Sequence, residues 1–359
     1  MEYQKKDFLT DILYCNSDLN PKQEYYGKFE MEQRKVDDPV KLNDLQKAIL
    51  WIDSVIRIGD YEKTPYLLHK SYPSARSFYS LQLVIGIGKQ IFVSNSFMKT
   101  GEQFFFSSKL RDNTIYVIKK MEIESKRYKS IHNTLQEIEA GHVIYMILKT
   151  LKIWGFSGYV RNHRACIEIR FEQKNPVNLQ ISRSEERKLQ ERAILRSSGP
   201  YLKKLAFFNM RTELQKDISN FDEELIRDGY QISKLPVKIF HFIRVGKTYY
   251  CSKLNFQILA DELGKDYNFW NTRTGSEFSL ICVNKCFTKY AYSLEIAGAL
   301  AQAFCVTNAK PGFINRPVKQ VRPGIWQRRL RKTRLEEKWI PFYGIISSRI
   351  KEVQDEKIY

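Results

Sequence analysis

The sequence predicts an α+β protein of two related halves, each a mainly antiparallel sheet packed by helices. Three observations carry this. First, Ile87-Gly88-Lys89-Gln90-Ile91-Phe92-Val93-Ser94 returns as Val245-Gly246-Lys247-Thr248-Tyr249-Tyr250-Cys251-Ser252, 158 positions on. Second, Ala140-Gly141 returns as Ala297-Gly298, and Gly155-Phe156 as Gly312-Phe313, both 157 positions on. Third, the apolar pattern after each start runs in one order: period-two hairpin, strand, long period-3.6 helix. The spacing far exceeds the roughly 20–50 residues of a solenoid unit, so each copy is a domain or most of one. Two similar domains in one chain can pack as a built-in dimer with a site in the cleft between them.

The elements follow in order. Leu42 to Ile58 reads as a helix with Leu45, Ile49, Leu50, Ile52 and Ile56 on one broad face, Pro39 before it and Gly59 after it. Tyr79 to Ser94 reads as a hairpin: Leu81, Leu83 and Ile85 alternate, Gly86 to Lys89 turns, and Ile91 to Val93 returns. Asn113 to Ile118 is a strand. Ile131 to Leu151 is a helix, with His142 on its apolar face and Gly155 at its end. Ala165 to Phe171 is a strand. The polar stretch Gln173 to Gln190, with Asn175-Pro176, reads as the hinge between copies. Ser184 is the expected N-cap of a charged helix running to Leu195. The second copy then runs hairpin (Val237 to Ser252), short helix (Phe256 to Leu263), strand (Phe278 to Val283), helix (Tyr290 to Val306) and Gly312. The expected division is an N-terminal helical extension (1–65), a first domain (66–175), a linker (176–190), a second, degenerate domain (191–320) and a basic C-terminal extension (321–359).

Composition bounds the function. A chain of 359 residues, 43% hydrophobic and 13% aromatic, can bury two cores and is not disordered. Six scattered cysteines and a charged start, Met1 to Asp11, point to reduced thiols in the cytoplasm. The apolar stretch Tyr292 to Val306 is broken by Glu295 and Gln302 and is too short to span a bilayer, so no membrane partner is expected. A net charge of +19 favours an anionic partner: an acidic peptide, a phosphate-bearing cofactor, an acidic subunit or nucleic acid. Basic residues are dense only in Arg322 to Lys338, so nucleic acid is the weakest of these. Cys282-x-x-x-Cys286 lacks a second ligand pair, so no metal site is expected. No Walker A sequence or Gly-x-Ser-x-Gly elbow is present.

Four places could carry chemistry. In Pro73-Ser74-Ala75-Arg76-Ser77-Phe78-Tyr79-Ser80-Leu81, a hydroxyl-rich turn holding an arginine opens into a strand. That set suits a phosphate or a ring carbonyl, and it equally suits an ordinary solvated turn. Arg192, Arg196, Ser197 and Ser198, before Gly199-Pro200, make a second such set or a plain helix end. Glu139-Ala140-Gly141-His142 places a small pair in mid-helix, at a helix cost of about 1 kcal/mol for the glycine. Something must approach closely there, a second helix or a flat ligand. The repeated Ala-Gly argues for helix packing, and His142, replaced by Ala299 in the second copy, is the asymmetric element. In Lys126-Arg127-Tyr128, neighbouring cations favour the phenolate, as a base requires, and the run equally suits a basic turn before a helix.

In this order the motifs resemble the nitroreductase-like flavoenzymes, and among them the azoline dehydrogenase branch that acts on ribosomally made peptides. That branch has a Pro-Ser-x-x-x-x-Tyr-Pro-Leu turn-strand. Pro73-Ser74 through Phe78-Tyr79-Ser80-Leu81 is similar, with Ser80 in place of the proline. Ile138-Glu139-Ala140-Gly141-His142 is close to its Leu-Glu-Ala-Gly-His. Arg127-Tyr128, with Lys126 beside it, stands where relatives have Lys-Tyr, and Leu195-Arg196-Ser197-Ser198 loosely matches a phosphate-binding Arg-Arg-Ser. Lys289-Tyr290 is a literal Lys-Tyr but sits too near its glycine. The likeness covers residues 65–172 well and 190–315 faintly.

The resemblance implies tandem nitroreductase-like domains forming an intrachain pseudo-dimer with FMN at the interface. It would hold FMN through Ser74, Arg76, Ser77, Gly141, His142, Arg196, Ser197 and Ser198. It implies oxidation of thiazolines or oxazolines to azoles, with Tyr128 as base and Arg127 or Lys126 as its activator. It also implies a cyclodehydratase partner and an acidic precursor or leader peptide as substrate; a homodimer stays open. The pair Ala75-Arg76 departs from the family's glycines. Arg76 could reach the flavin or fill its place, and in the second case the chain would be a flavin-free peptide-binding or scaffold subunit.

Overall fold

The computed structural model describes residues 42–58, 68–74, 79–87, 90–94, 102–105, 113–119, 132–162, 166–174, 176, 178–196, 218–262, 277–285, 291–318, 323–333, 338–349 and 357–358. Its elements in chain order are α1 (Asp44–Ile52), β1 (Val55–Ile58), β2 (Leu68–Lys70), β3 (Leu81–Ile87), β4 (Gln90–Val93), β5 (Glu102–Phe105), β6 (Thr114–Lys119) and α2 (His132–Ile153). There follow β7 (Phe156–Asn162), β8 (Cys166–Gln173), α3 (Leu179–Leu195), α4 (Asn220–Tyr230), β9 (Val237–Val245), β10 (Thr248–Cys251), β11 (Phe256–Leu259) and β12 (Glu277–Asn284). The chain ends with α5 (Ala291–Thr307), β13 (Phe313–Val318), α6 (Pro323–Leu330), β14 (Trp339–Arg349) and β15 (Lys357–Ile358).

The duplication read from the sequence is a duplication of topology. One six-stranded sheet has the order β5-β4-β3-β6-β8-β7 and the other β11-β10-β9-β12-β14-β13. Every pairing within them is antiparallel. A helix joins the fourth strand to the edge strand in each, α2 in one and α5 in the other. The repeated Gly-Phe marks the exit from that helix. Gly155 and Gly312 adopt φ of 76° and 68°, a conformation glycine reaches without a Cβ clash, and the edge strand begins at the next residue. Gly246, at φ 60°, does the same for the β9–β10 hairpin.

The core is shared. One buried apolar cluster takes in Leu83, Ile85 and Val117 of the first sheet, Ile144 and Leu148 of α2, Ile296 and Phe304 of α5, and Ile281 and Ile345 of the second sheet. A second cluster lies where α6 packs on the second sheet, with Trp326 stacked on Phe278 at 5.8 Å between ring centroids. A third sheet, β15-β1-β2, ties the chain's C-terminal residues to the first half.

Several expectations change. The 42–58 helix stops at Ile52: Asp53 closes it, and the β-branched run Val55-Ile56 continues as β1. The expected linker is mostly α3, which starts at Asn178 rather than Ser184 because the Asn178 side chain accepts from the N–H groups of Gln180 and Ile181. Leu189 and Ala193 anchor it in the shared core. Phe256 begins a strand, not a helix, because Asn255 turns the chain in the left-handed region and β11 pairs with β10. The 321–359 segment is no appendage: β14 lies inside the second sheet between β12 and β13. Trp326 and Leu330 hold the basic helix α6 against that sheet, with Arg328 and Arg331 facing solvent. Cys166, Cys251, Cys282 and Cys305 are free thiols, all buried. Among the described residues no helix is long and apolar enough to cross a membrane.

Candidate functional site

Helices α2 and α5 cross at their repeated glycines. A Cβ on Gly141 would lie 1.8 Å from the carbonyl oxygen of Glu295, and one on Gly298 would lie 2.1 Å from that of Ile138. The small pair therefore serves close approach of two backbones. The open side of Gly141 is filled by α5, which departs from the expectation that a cofactor touches it.

His142 sits one residue further along α2 and is buried. Its Nδ1 lies 3.0 Å from Gln302 Oε1 and its Nε2 3.0 Å from the Tyr343 hydroxyl. Gln302 Nε2 donates to the carbonyl of Ser71 at 2.9 Å, which orients the amide. Its oxygen must then accept, so the Nδ1–H donates to Gln302 and the Tyr343 O–H donates to Nε2. Burial holds the His142 pKa down at about 3, with the nearby positive charge of Arg196 acting the same way. The neutral ring links α2 to α5 and β14, and both its nitrogens are engaged.

Ser74 is also engaged. Its hydroxyl donates to Glu139 Oε2 at 2.7 Å and accepts the Tyr79 N–H at 2.8 Å. This fastens the Pro73-Ser74 turn to α2. Tyr79 is the strained residue of the turn, with φ 47°, which costs a non-glycine residue about 1 kcal/mol or more. It is held from both ends, because its hydroxyl accepts the Lys70 N–H at 2.8 Å. Behind it Lys70 Nζ donates to Asp53 Oδ1 at 2.6 Å, and Asp53 also accepts from Tyr72 at 2.7 Å and from Ser94.

Arg196 differs from all of these. It is the C-cap of α3 and only 1% exposed, and its Nε and Nη1 are buried with no hydrogen-bond partner. Arg57, 3% exposed, donates from Nη2 to the Arg196 carbonyl oxygen at 2.9 Å. Burial first, and the Arg57 charge second, lower the Arg196 pKa. The acids that offset this are weak: the Cys305 thiol, itself pushed up to about 12 by burial, and the phenols of Tyr79 and Tyr343. His69 lies directly across from Arg57 in the β1–β2 pair, and its Nε2 is also buried without a partner. Burial, then Arg57 and Arg196, hold its pKa down at about 3.

The structure thus brings Arg196 into the electrostatic reach of His142 and Tyr79, residues far apart in sequence. It also adds Arg57 and His69, which sequence reasoning missed. Their signal was a charge inside an apolar run (Val55-Ile56-Arg57-Ile58) and a histidine beside Leu68. Arg76, Ser77, Lys126, Arg127, Tyr128, Ser197 and Ser198 lie outside the described residues. The donor set at Arg196 fits the anionic end of a cofactor such as FMN: buried guanidinium N–H groups with nothing to bond. At Gly141 the α5 backbone stands on the side where a flat ring was expected.

No protein-family model and no curated protein sequence matches the chain. Among solved structures, it is similar to a provisionally named nitroreductase from Anabaena variabilis, at 8% identity and a TM-score of 0.60. That likeness covers 96% of this chain and 99% of the other. NfrA2 of B. megaterium (14% identity, TM-score 0.23, 42% of this chain and 64% of the other) overlaps less. So does a provisionally named NADH dehydrogenase/NAD(P)H nitroreductase from Parabacteroides distasonis (12% identity, TM-score 0.25, 58% and 93%). The first of these matches places a nitroreductase fold over nearly the whole chain.

Proposed function

We propose that this chain is an FMN-dependent oxidoreductase that oxidises thiazolines or oxazolines of a ribosomally made peptide to the corresponding azoles. The observation that carries the reading is Arg196, a buried guanidinium whose Nε and Nη1 have no hydrogen-bond partner, at the junction of the halves of a nitroreductase fold. An unpaired buried cation costs several kcal/mol, and a bound anion removes that cost. FMN, when bound, supplies the acceptor for the hydride that leaves the azoline ring.

The chain's own residues supply the rest. Arg196 anchors the anionic end, and Ser197 and Ser198 follow it in sequence. Tyr128, flanked by Lys126 and Arg127, takes the proton from the carbon next to the one that loses hydride. His142 and Ser74 position the site rather than touch the cofactor, through Gln302, Tyr343 and Glu139. A net charge of +19 steers an acidic leader peptide or an acidic cyclodehydratase partner to the surface. The test is an absorbance spectrum of the purified protein with and without added FMN. Bound flavin and turnover of an azoline peptide that is lost in Tyr128→Phe, with flavin retained, support the reading; a colourless protein that refuses FMN removes it.

A second reading has one observation in its favour. The backbone of α5 fills the space at Gly141, and His142 has both nitrogens bonded, so the two motif residues nearest the family pattern are spent on packing. A flavin-free subunit that binds a peptide or scaffolds a synthetase complex would keep the fold in this way. It predicts peptide affinity that falls with salt and no effect of Tyr128→Phe on the activity of the complex.

A further inference from the structure

The β9–β10–β11 ribbon of the second sheet is covered on one face only. Phe242, Tyr249, Cys251 and Ile258 point into the apolar cluster under α6. On the other face the pairing sets Val245, Thr248 and Leu259 in one row and Ile243, Tyr250 and Gln257 in the next. There Val245 is 68%, Tyr250 43% and Leu259 49% exposed, so three large apolar side chains share one open face. The first half closes the same face with its own chain. Phe92, which stands at the Tyr250 position of the repeat, is buried in the shared core. Ser94, two residues on, donates to Asp53 at the end of α1. The helix that precedes β9, α4, lies instead against α2, α5 and β7.

β11 is also the end of its sheet. The Ala260 N–H donates to the Lys247 carbonyl at 2.9 Å. By alternation Ile258 and Phe256 turn their main-chain groups to β10, and those of Gln257 and Leu259 point to the open edge. The strand, Phe256-Gln257-Ile258-Leu259, has neither the charge nor the proline that keeps an edge from pairing. From Val237 to Ala260 the chain carries Lys238, Arg244, Lys247 and Lys253 and no Asp or Glu. Lys247 and Lys253, both exposed, flank β10. A second copy would bring the same positive charges to this edge and be repelled, whereas an acidic segment is attracted.

We propose that β11 takes up an extended acidic peptide as an added strand, its main chain bonded to Gln257 and Leu259 and its apolar side chains set against Leu259 and Tyr250. A strand has main-chain groups to offer the edge, and a helix has spent its own. The inference rests on the proposed function only for the source of the segment, the acidic leader peptide; binding at β11 needs no flavin.

The test is fluorescence anisotropy of a labelled peptide of about seven residues that alternates glutamate with valine, titrated with the intact chain at low and high salt. Affinity is expected to fall with salt. Gln257→Pro deletes an outward N–H that lies outside the ladder, and is expected to weaken binding about tenfold. Leu259→Ser and Tyr250→Ser, changes on the exposed face, are each expected to weaken it about fivefold or more. Lys247→Glu weakens binding and flattens the salt dependence, while Lys188→Glu, the same charge change on the exposed side of α3, has far less effect. A peptide that alternates lysine with valine is not bound. Affinity retained in both Gln257→Pro and Leu259→Ser overturns the proposal, as does equal binding of the lysine peptide or no binding at all. Self-association of the chain that Gln257→Pro abolishes, without peptide binding, assigns the edge to a second copy and overturns it too. The expected pattern in a protein that refuses FMN keeps the added strand and removes the flavin reading. A flavin-loaded, active protein whose peptide affinity ignores β11 does the reverse.

Discussion

Gly298 on α5 lies against Gly141 on α2, so close that a Cβ added at Gly298 would stand 3.2 Å from the Gly141 Cα and 2.1 Å from the Ile138 carbonyl oxygen. The obstacle is backbone in both directions, and neither helix can yield without moving the shared core. Gly141→Ala and Gly298→Ala are each expected to cost about 3 kcal/mol or more, read from denaturant midpoints. Gly246→Ala is the contrast. Nothing lies within 4 Å of the added carbon, but φ is +60°, so the cost is about 1 kcal/mol.

That crossing also measures what was legible in the sequence. Ala140-Gly141 and Ala297-Gly298 announced close packing because a glycine in mid-helix needs a compensating contact. Gly155 and Gly312 announced helix ends for an equally local reason. What could not be read was long-range. β14 enters the second sheet only through pairing with β12 and β13, and nothing local in Trp339 to Arg349 states that. Arg57 meets His69 across strand pairing and the Arg196 carbonyl across 139 positions of sequence, where periodicity is silent. Only the first turn of α3, Leu179 to Arg183, was hidden in the stretch read as a hinge, because a helix that buries little more than Leu189 and Ala193 has the composition of a linker.

His142 and His69 predict a loss of stability in mild acid. Both folded pKa values stand at about 3, below the ordinary 6.5, so folding is unaffected above about pH 7. As pH falls from 6.5 toward 3 the unfolded chain takes up protons that the folded chain refuses. Stability then drops by about 1.4 kcal/mol per pH unit for each histidine. His142→Gln removes one of the two terms. Denaturant midpoints at pH 7 and pH 5 should show a smaller drop for the variant; equal drops would refute the buried neutral ring.

Asp53 is the common acceptor for Lys70, Tyr72 and Ser94, all in the interior. Asp53→Ala leaves the Lys70 ammonium buried without its carboxylate, at a cost of about 3–5 kcal/mol. Asp53→Ala combined with Lys70→Met removes the stranded charge and is expected to recover most of that. A double variant no more stable than Asp53→Ala alone would show that the hydroxyl partners, and not the ion pair, carry the loss.

Glu295 is the buried acid of the α2–α5 crossing. Burial, and then the charge of Glu137, push its pKa well above the ordinary carboxylate value. Asn162 Nδ2 donates to its Oε1, a bond that a glutamine oxygen accepts equally well. A carboxyl with a raised folded pKa binds its proton more tightly folded than unfolded. It therefore costs nothing below about pH 4, and stability falls as pH climbs from there toward the folded pKa. Glu295→Gln keeps the shape and the Asn162 bond and removes the titration. The variant is expected to match the parent near pH 4 and to be more stable by about 1 kcal/mol or more at pH 8, because the parent alone pays for keeping a proton there. Parallel stability curves for the two proteins between pH 4 and pH 8 would mean that Glu295 is ionised in the folded chain, with the Lys119 ammonium, which bonds both Glu137 oxygens at 2.7 Å, balancing both acids at once.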